Sequence, residues 1–404
     1  MNLDYNNYNS IITVRHLCAE GNIDSLDYLL KTNPNFDYDE HALAQACASG
    51  HVKVLEWWVK SKLPIKYDES SINHASSYGH VEVLNWWVNS KLPLKYTDNA
   101  IDYASYKANN ELDVLNWWKN SGLQLKYSTT SMNGASITGC IEVLEWWKNS
   151  GLKLKYSSES MDNTSKNVLD WWLNSGLELK YSKNGLDMAS ETGAIDVLDW
   201  WKNSGLKLKY SKNAIDMASI NGHVEVLTWW LNSGLELKYT EKTLDFYDEN
   251  DLENPEKDYI EDETFISEEK CIKVLEWWLN SGLELKYSEL SLIMPSEKGY
   301  VKVLDWWKNS GLELKYDPRD QAFDEASIKG FVGVLEWWKN SGLDFEYTVN
   351  ALNSAIQDGN LEVVKWWVNS GLELKYTDSV LKQAFRNGHT EILKLLENVQ
   401  KPKN

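Results

Sequence analysis

The 404-residue chain has few cysteines and no long apolar run. Cys18, Cys47, Cys140 and Cys271 are far apart and form no CxxC pair, so neither a disulfide framework nor a zinc site is expected. No stretch reaches the ~18 apolar residues of a membrane-spanning helix, and the polar start lacks the pattern of a secretory signal. These absences predict a cytoplasmic or nuclear protein that is neither secreted nor bound to a membrane.

Positive charge is also scarce. Lys and Arg number 41 against 60 Asp and Glu, a formal net charge of −19. Binding to a phosphate backbone without sequence preference needs clusters of Lys and Arg. The balance therefore predicts no nucleic-acid partner.

Tryptophan, in contrast, is abundant and regularly placed. All 22 Trp residues lie in adjacent pairs. The pairs begin at Trp57, Trp86, Trp117, Trp146, Trp171, Trp200, Trp229, Trp277, Trp306, Trp337 and Trp366. Most pairs are 29 residues apart, and one further step outward at each end reaches Tyr28-Leu29 and Leu395-Leu396. This period predicts about 13 stacked repeats with atypical outer ones.

One repeat, read from Tyr210, shows the expected local structure. A Ser follows the Tyr as helix N-cap, and a first helix of about ten residues ends near Gly222. A second helix, 223–233, carries the Trp pair on a wide apolar face and ends at Gly234. Alternating Leu and polar residues then form an extended return. The repeat is thus a helix–turn–helix.

Two segments of this repeat resemble the ankyrin repeat. GHVEVLTWWLNSGLEL (222–237) aligns with its second-helix half, with Trp-Trp in place of two leucines, and NAIDMAS (213–219) with the start of its first helix. The resemblance implies an all-α ankyrin-like helix–turn–helix solenoid. The repeat is 29 residues long, whereas an ankyrin repeat has about 33, and the missing residues fall in the β-hairpin. Shortened hairpin loops are therefore expected.

The predicted organisation is one continuous solenoid. Residues 1–38 form an N-terminal capping repeat, 39–376 the array of Trp-Trp repeats, and 377–404 a C-terminal capping repeat. An acidic insertion at 241–270, with thirteen acids and three lysines, is either a flexible spacer or a docking segment for a basic partner. Small Ala-Ser pairs in the first helices and Trp pairs in the second helices place the first helices on the concave side.

This architecture predicts a non-catalytic protein–protein interaction scaffold that binds another protein on the concave first-helix face, with the chain itself a monomer. Glycan or aromatic-ligand binding by the Trp ladder is the alternative. No catalytic, cofactor or metal site is expected. The expected partner contacts lie near the ends of the first helices, and three isoleucines among them are expected to form an exposed row: Tyr78, Ile137, Met188, Ile220, Ile328 and Gln357.

Four recurring features of the sequence are interpreted as structural and not as functional. The Trp pairs are expected in the core, with the first Trp at the seam between repeats. The lysine of each LKY motif is interpreted as part of a solvated, self-neutralising stripe. His51, His80, His223 and His389 follow the turn glycine and are expected to share a capping role. The Asp or Asn inside each first helix is expected to bond backbone amides.

Overall fold

The computed structural model of the protein describes residues 5–106, 111–246 and 266–400. Within these ranges the chain forms 26 α-helices and no strand. The all-helical repeat architecture expected from the Trp spacing is therefore confirmed. The chain divides into two compact units, residues 1–185 with 200–209 and residues 186–199 with 210–404.

In the first unit, first and second helices alternate along the chain. The first helices are α1 (Tyr5–Ala19), α3 (His41–Ala48), α5 (Ser70–Ser77), α7 (Asn99–Ala104), α9 (Thr130–Ile137) and α11 (Glu159–Asp162). The second helices are α2 (Ile23–Thr32), α4 (Val52–Ser61), α6 (Val81–Asn89), α8 (Glu111–Asn120), α10 (Ile141–Asn149) and α12 (Lys166–Asn174).

The second unit repeats this alternation. Its first helices are α15 (Asn213–Ile220), α17 (Lys242–Asp245), α19 (Ile293–Lys298), α21 (Ala322–Ile328), α23 (Val349–Gln357) and α25 (Asp378–Arg386). Its second helices are α16 (Val224–Asn232), α18 (Glu268–Asn280), α20 (Val301–Asn309), α22 (Val332–Ser341), α24 (Leu361–Ser370) and α26 (Thr390–Gln400). Residues of α13 (Asn184–Glu191) and α14 (Ile195–Asn203) belong partly to each unit. A 3₁₀ turn, Glu289–Leu292, precedes α19.

Within each unit, first helices pack on first helices and second helices on second helices. The first-helix backbones come much closer together than the second-helix backbones. The cause is side-chain size, since Ala and Ser separate the first helices and indole rings separate the second. The placement of the first helices on a concave side stays a prediction.

The WW-x-NSGL motif builds the end of most second helices. In α16, the Ser233 hydroxyl donates to the carbonyl of Trp230 (2.7 Å) and accepts from the amide of Leu235 (3.0 Å). Gly234 then adopts a φ of +75°, where a side chain would be strained. The motif is repeated because it closes the helix and starts the return to the next repeat.

Two first helices, α11 and α17, are only four residues long. The sequence before Trp171 is shortened, and the acidic insertion follows α17 directly. Of that insertion, 241–246 and 266–270 are described and 247–265 lie outside the described residues. Because most of the insertion lies outside the described residues, the choice between a spacer and a docking segment stays a prediction.

Candidate functional site

The second Trp of each pair is the core of its repeat. Every one of these side chains is at most 4 % exposed, as expected. In most repeats its indole Nε1 also donates to a Ser in the first helix of the repeat before, usually the Ser of the Ala-Ser pair. Ser190 accepts from Trp230 at 2.9 Å, and Ser327 accepts from Trp367 at 2.8 Å. The Ala-Ser pair therefore supplies both close packing and an acceptor for a buried donor.

Among the described residues, three second-Trp indoles have no hydrogen-bond partner: Trp58, Trp201 and Trp307. Trp58 faces the thiol of Cys18, which is a weak acceptor. The other two follow the shortened helices α11 and α17, which end before the Ala-Ser position.

The first Trp of each pair lies at the seam between consecutive second helices and is buried or half-buried. In nine of the eleven pairs its Nε1 donates to the residue that precedes the Trp pair, or its equivalent, in the repeat before. Trp229 donates to Asp199 at 2.7 Å, and Trp366 donates to Glu336 at 2.7 Å, which lowers the pKa of that carboxyl. This row of bonds sets the spacing of the second helices and confirms the seam position.

A buried or half-buried Asp or Asn in most first helices clamps the next repeat. The Asp216 carboxylate accepts from the backbone amide of Thr240 and from its hydroxyl, both at 2.8 Å. Burial raises the pKa of Asp216, and it raises the pKa of Asp245 to about 6. The expected bond to a backbone amide is confirmed, and the amide belongs to the following repeat. The same contact joins Asn73 to Thr97, Asp102 to Ser128, Asn133 to Ser157, Asp162 to Ser182, Asp187 to Ser211, Asp245 to Ser288, Asp324 to Thr348 and Asn353 to Thr377.

The lysines of the LKY motifs also contact the preceding repeat. Lys209 lies with its Nζ 4.2 Å from the centre of the Tyr181 ring of the preceding repeat and donates to the carbonyl of that tyrosine at 2.8 Å. A cation over an aromatic ring is a favourable contact. The interpretation of these lysines as a solvated, self-neutralising stripe holds in part, since Lys209 is exposed and Lys238 pairs with Glu236 at 3.6 Å. It missed that the same lysines also join consecutive repeats.

The turn histidines also contact the preceding repeat. The Nε2 atoms of His51, His80 and His389 lie 3.0 Å from carbonyl oxygens there, and His51 and His80 make no side-chain capping bond. A Cβ on Gly50 would lie 2.7 Å from the His80 ring, so that turn requires glycine. The histidines share one structural role, but it links repeats and does not cap the helix through the imidazole.

The six residues expected to contact a partner lie at or near the ends of first helices, with unequal exposure. Tyr78 (53 %), Ile137 (41 %) and Gln357 are exposed, whereas Met188, Ile220 and Ile328 are half-buried. The expected row of three exposed isoleucines is therefore wrong.

The second-helix side carries grooves that the sequence interpretation missed. In the first unit, a groove of about 380 Å³ between α4 and α6 has Trp86 on its floor and Val59 and Asn89 on its walls. In the second unit, a groove of about 400 Å³ between α16 and α18 has Trp277 on its floor, with Leu231 and Asn280. We call these the second-helix grooves.

The exposed aliphatic wall of each groove is the residue directly after the Trp pair. Val59 is 51 % exposed and Leu231 38 % exposed. The sequence held a signal for this exposure, because the same position carries Lys in other repeats, for example Lys119 and Lys148. A position shared by Val, Leu and Lys faces solvent.

Within the described residues, no group of His, Cys, Asp and Glu side chains is arranged to hold a metal ion. No described helix is both long and apolar enough to cross a membrane.

One known family matches a part of the chain. The family described as ankyrin repeats (many copies) matches residues 352–397, which lie between α23 and α26. Together with the helical repeat architecture, this match supports an ankyrin-like repeat protein, as the sequence motifs predicted. No curated protein matches the sequence.

Among solved structures, the chain is similar to the pentatricopeptide repeat protein PPR10 in complex with an 18-nt psaJ RNA element. The identity is 13 %, the TM-score is 0.41, and the match covers 97 % of this chain and 64 % of that one. A cysteine-substituted form bound to the same RNA gives the same values, and PPR10 from maize gives a TM-score of 0.29. The chain spans about 64 % of the length of the first two proteins.

These comparisons correct two expectations. Two of these three structures were determined with RNA bound, and this finding contradicts the expectation of no nucleic-acid partner and the assignment as a protein or glycan binder. The net charge was a poor ground for that exclusion, because more than half of it lies in residues 241–270. At this identity and TM-score, the matches do not by themselves assign RNA binding to this chain.

Proposed function

We propose that this chain is a non-catalytic binding protein that holds an extended polymer along the second-helix grooves. The observation that carries the proposal is that the two units, each taken by itself, contain a groove of the same construction and nearly the same volume. Repeat families of the ankyrin kind are typically non-catalytic. Repetition of one groove suits a ligand that is itself repetitive.

Each groove combines an apolar floor with a polar rim. The exposed part of the indole ring and the aliphatic wall offer apolar contact, and Asn89 or Asn280 offers a side-chain amide that also donates to a backbone carbonyl of its own helix. In the second groove the Trp277 N–H is already engaged, because it donates to Thr228 at 2.9 Å. That groove therefore offers a flat or apolar group the face and edge of its ring.

The rims carry both signs of charge. Beside the first groove, Lys60 pairs with Glu56 at 3.5 Å. Glu225, Lys273 and Glu276 surround the second groove. Because the charges nearly cancel, shape and apolar contact decide binding more than net charge does. A single such groove binds weakly, and several engaged by one polymer bind with high avidity.

Two random pools test the proposal with the full chain: single-stranded RNA and displayed linear peptides. The enriched pool identifies the polymer class. Selected ligands should bind Val59→Glu and Leu231→Glu at least roughly tenfold more weakly, since each change places a charge on an apolar wall.

Ile137→Glu is the matched control, because it introduces the same charge at an exposed isoleucine on the first-helix side. It should leave the affinity unchanged. Ligands that bind both groove variants as well as the parent, loss of binding only in Ile137→Glu, or failure of both pools would each contradict the proposal.

A further inference from the structure

The two compact units differ in the charge of their return loops, the segments that lead from the end of a second helix towards the next first helix. In the first unit, six consecutive return loops hold ten lysines and one acid, Glu178: residues 62–67, 91–96, 121–127, 150–156, 175–181 and 204–209. In the second unit, five return loops hold four lysines and six acids: residues 233–239, 281–287, 310–316, 341–347 and 370–376. The loops of the first unit therefore carry a large excess of positive charge. We call these six loops the basic edge.

The acids that directly follow the basic edge along the chain do not cancel its charge. They are four against ten lysines, and they lie after the loop tyrosines at the starts of first helices: Asp68, Glu69, Asp98 and Glu159. The loop before the edge, residues 33–38, holds Asp37 and no lysine. The excess of positive charge is therefore confined to the loops from Lys62 onward.

The preceding repeat holds the last lysine of each of these loops in place. Lys66 has its Nζ 4.5 Å from the centre of the Tyr38 ring and donates to the carbonyl of that tyrosine at 2.8 Å. An ammonium group has three N–H donors, so each lysine keeps a donor for a further acceptor. The basic edge thus presents one positioned cation per repeat. The same contact joins Lys95 to Tyr67, Lys126 to Tyr96, Lys155 to Tyr127, Lys180 to Tyr156 and Lys209 to Tyr181.

Two further lysines of the basic edge occupy a position that other repeats give to glycine. Lys62 and Lys91 have φ angles of 61° and 62°, and the equivalent Gly151 has a φ of 75°. This left-handed conformation is strained for a residue with a side chain. Both lysine side chains are exposed, so packing does not require them. Strain that packing does not explain is typical of a functional position.

The basic edge adjoins the second-helix groove of the first unit. Ser90 lines that groove, and Lys91 follows Ser90 directly. Lys62 follows Ser61, where α4, one wall of the groove, ends. The rim of the groove is balanced in charge, so the excess of positive charge beside it comes from the loops. A polymer that lies in the groove and passes over the loops therefore meets an indole ring and then cations.

We propose that the polymer held by this chain is a single-stranded nucleic acid, with bases on the indole floors of the grooves and phosphates on the basic edge. The inference rests on the proposed function, because it assigns a chemistry to the polymer that the grooves hold. A single strand carries exposed flat bases and one negative charge per nucleotide along the same chain. A duplex stacks its bases out of reach of the indole rings, and an acidic peptide has no flat group for them.

The test is the binding of the full 404-residue chain to fluorescently labelled oligouridylate and oligodeoxyuridylate, followed by fluorescence anisotropy. The two probes differ only in the 2′-hydroxyl, so they tell whether RNA or DNA is preferred. Lys62→Gly with Lys91→Gly should bind roughly tenfold more weakly at low salt. The slope of log Kd against log salt should fall by about 1.4, since each phosphate contact of a single strand contributes about 0.7.

This double variant restores the residue that other repeats use, so it should melt at the same temperature as the parent or higher. A loss of binding is thereby separated from a loss of folding. Lys382→Gln with Arg386→Gln is the control, because it removes two positive charges at exposed positions in α25 of the second unit. Its affinity and its salt dependence should equal those of the parent.

Three results would overturn the inference: no binding of either strand by the parent, equal losses in the lysine variant and the control, or poly-L-glutamate that binds as tightly as the strands. The last result would identify an acidic polypeptide as the partner. Val59→Glu tests the groove separately. If it weakens binding and the lysine variant does not, the groove function stands and the inference fails. If only the lysine variant weakens binding, the groove function fails and the basic edge remains the contact.

Discussion

Repeats with a complete first helix differ from the two repeats whose first helix is α11 or α17. In most of the complete repeats the buried Trp of the next repeat has a Ser acceptor, whereas after both short helices Trp201 and Trp307 have no partner among the described residues. The Asp clamp, in contrast, is kept in both short helices. Asp162 accepts from the Ser182 amide at 2.7 Å, and Asp245 accepts from the Ser288 amide at 2.9 Å.

The difference separates two functions of a first helix. Its beginning holds the next repeat through a carboxylate and a backbone amide, and its end supplies a neutral acceptor and close packing. The loss of the end is tolerated, because an unpaired indole N–H costs less than a buried backbone amide and carboxylate that both lose their partner. Three predictions test this comparison, from the largest expected effect to the smallest.

The largest change in the free energy of unfolding is expected from loss of the Asp clamp. Asp216→Ala removes the acceptor of the Thr240 amide and hydroxyl and should lower the free energy of unfolding by about 3 kcal/mol, as expected for buried donors left unpaired. Urea denaturation followed by Trp fluorescence measures it. Asp216→Asn is the control and should lose far less, because Asn353 makes the same amide bond in its own repeat at 3.0 Å. Equal losses in both variants would contradict the clamp.

The clamp next to the insertion should also respond to pH. Burial raises the pKa of Asp245 to about 6, above the unfolded value of 3.8. Its contribution is therefore fully present below about pH 4 and is lost as the pH rises through 6. Relative to Asp245→Asn, the parent should lose about 2 kcal/mol of unfolding free energy between pH 4 and pH 7.5. Parallel stability profiles for the two proteins would show that this carboxyl does not titrate with folding.

The Trp–Ser bond should have the smallest effect. Ser190→Ala should cost about 1.5 kcal/mol by leaving the Trp230 N–H unpaired, and the cost should vanish in a Trp230→Phe background. Trp201→Phe is the matched comparison, because its indole has no acceptor among the described residues. It should be less destabilising than Trp230→Phe by the same amount. If the two Trp→Phe changes cost the same, the comparison between complete and short helices fails.

The sequence predicted what depends on neighbours along the chain. The Trp spacing, the Gly at each helix end and the Ala-Ser pairs gave the helix pairs and the burial of the second Trp, because helical periodicity and capping are local. It also predicted that Asp216 and its equivalents bond a backbone amide. It could not tell that the amide belongs to the next repeat.

The candidate site, in contrast, was not predicted from the sequence. The first-helix face was expected to bind a partner, yet Ile220 and Ile328 are half-buried, while the residue after the Trp pair is exposed beside a groove. Exposure depends on how closely helices from different repeats approach. That distance is the result of packing Ala-Ser against Ala-Ser and indole against indole.

By itself, the sequence determined the repeat, its helices and the burial of its core, because these follow from periodicity and side-chain volume within about 29 residues. Only the tertiary structure decided the partners of the polar groups. It placed Lys209 over Tyr181 and the His80 imidazole against the carbonyl of Ala48. It also left the ring of Phe385 uncovered. The physical reason is that these contacts join residues of different repeats, and their geometry exists only after the helices have packed.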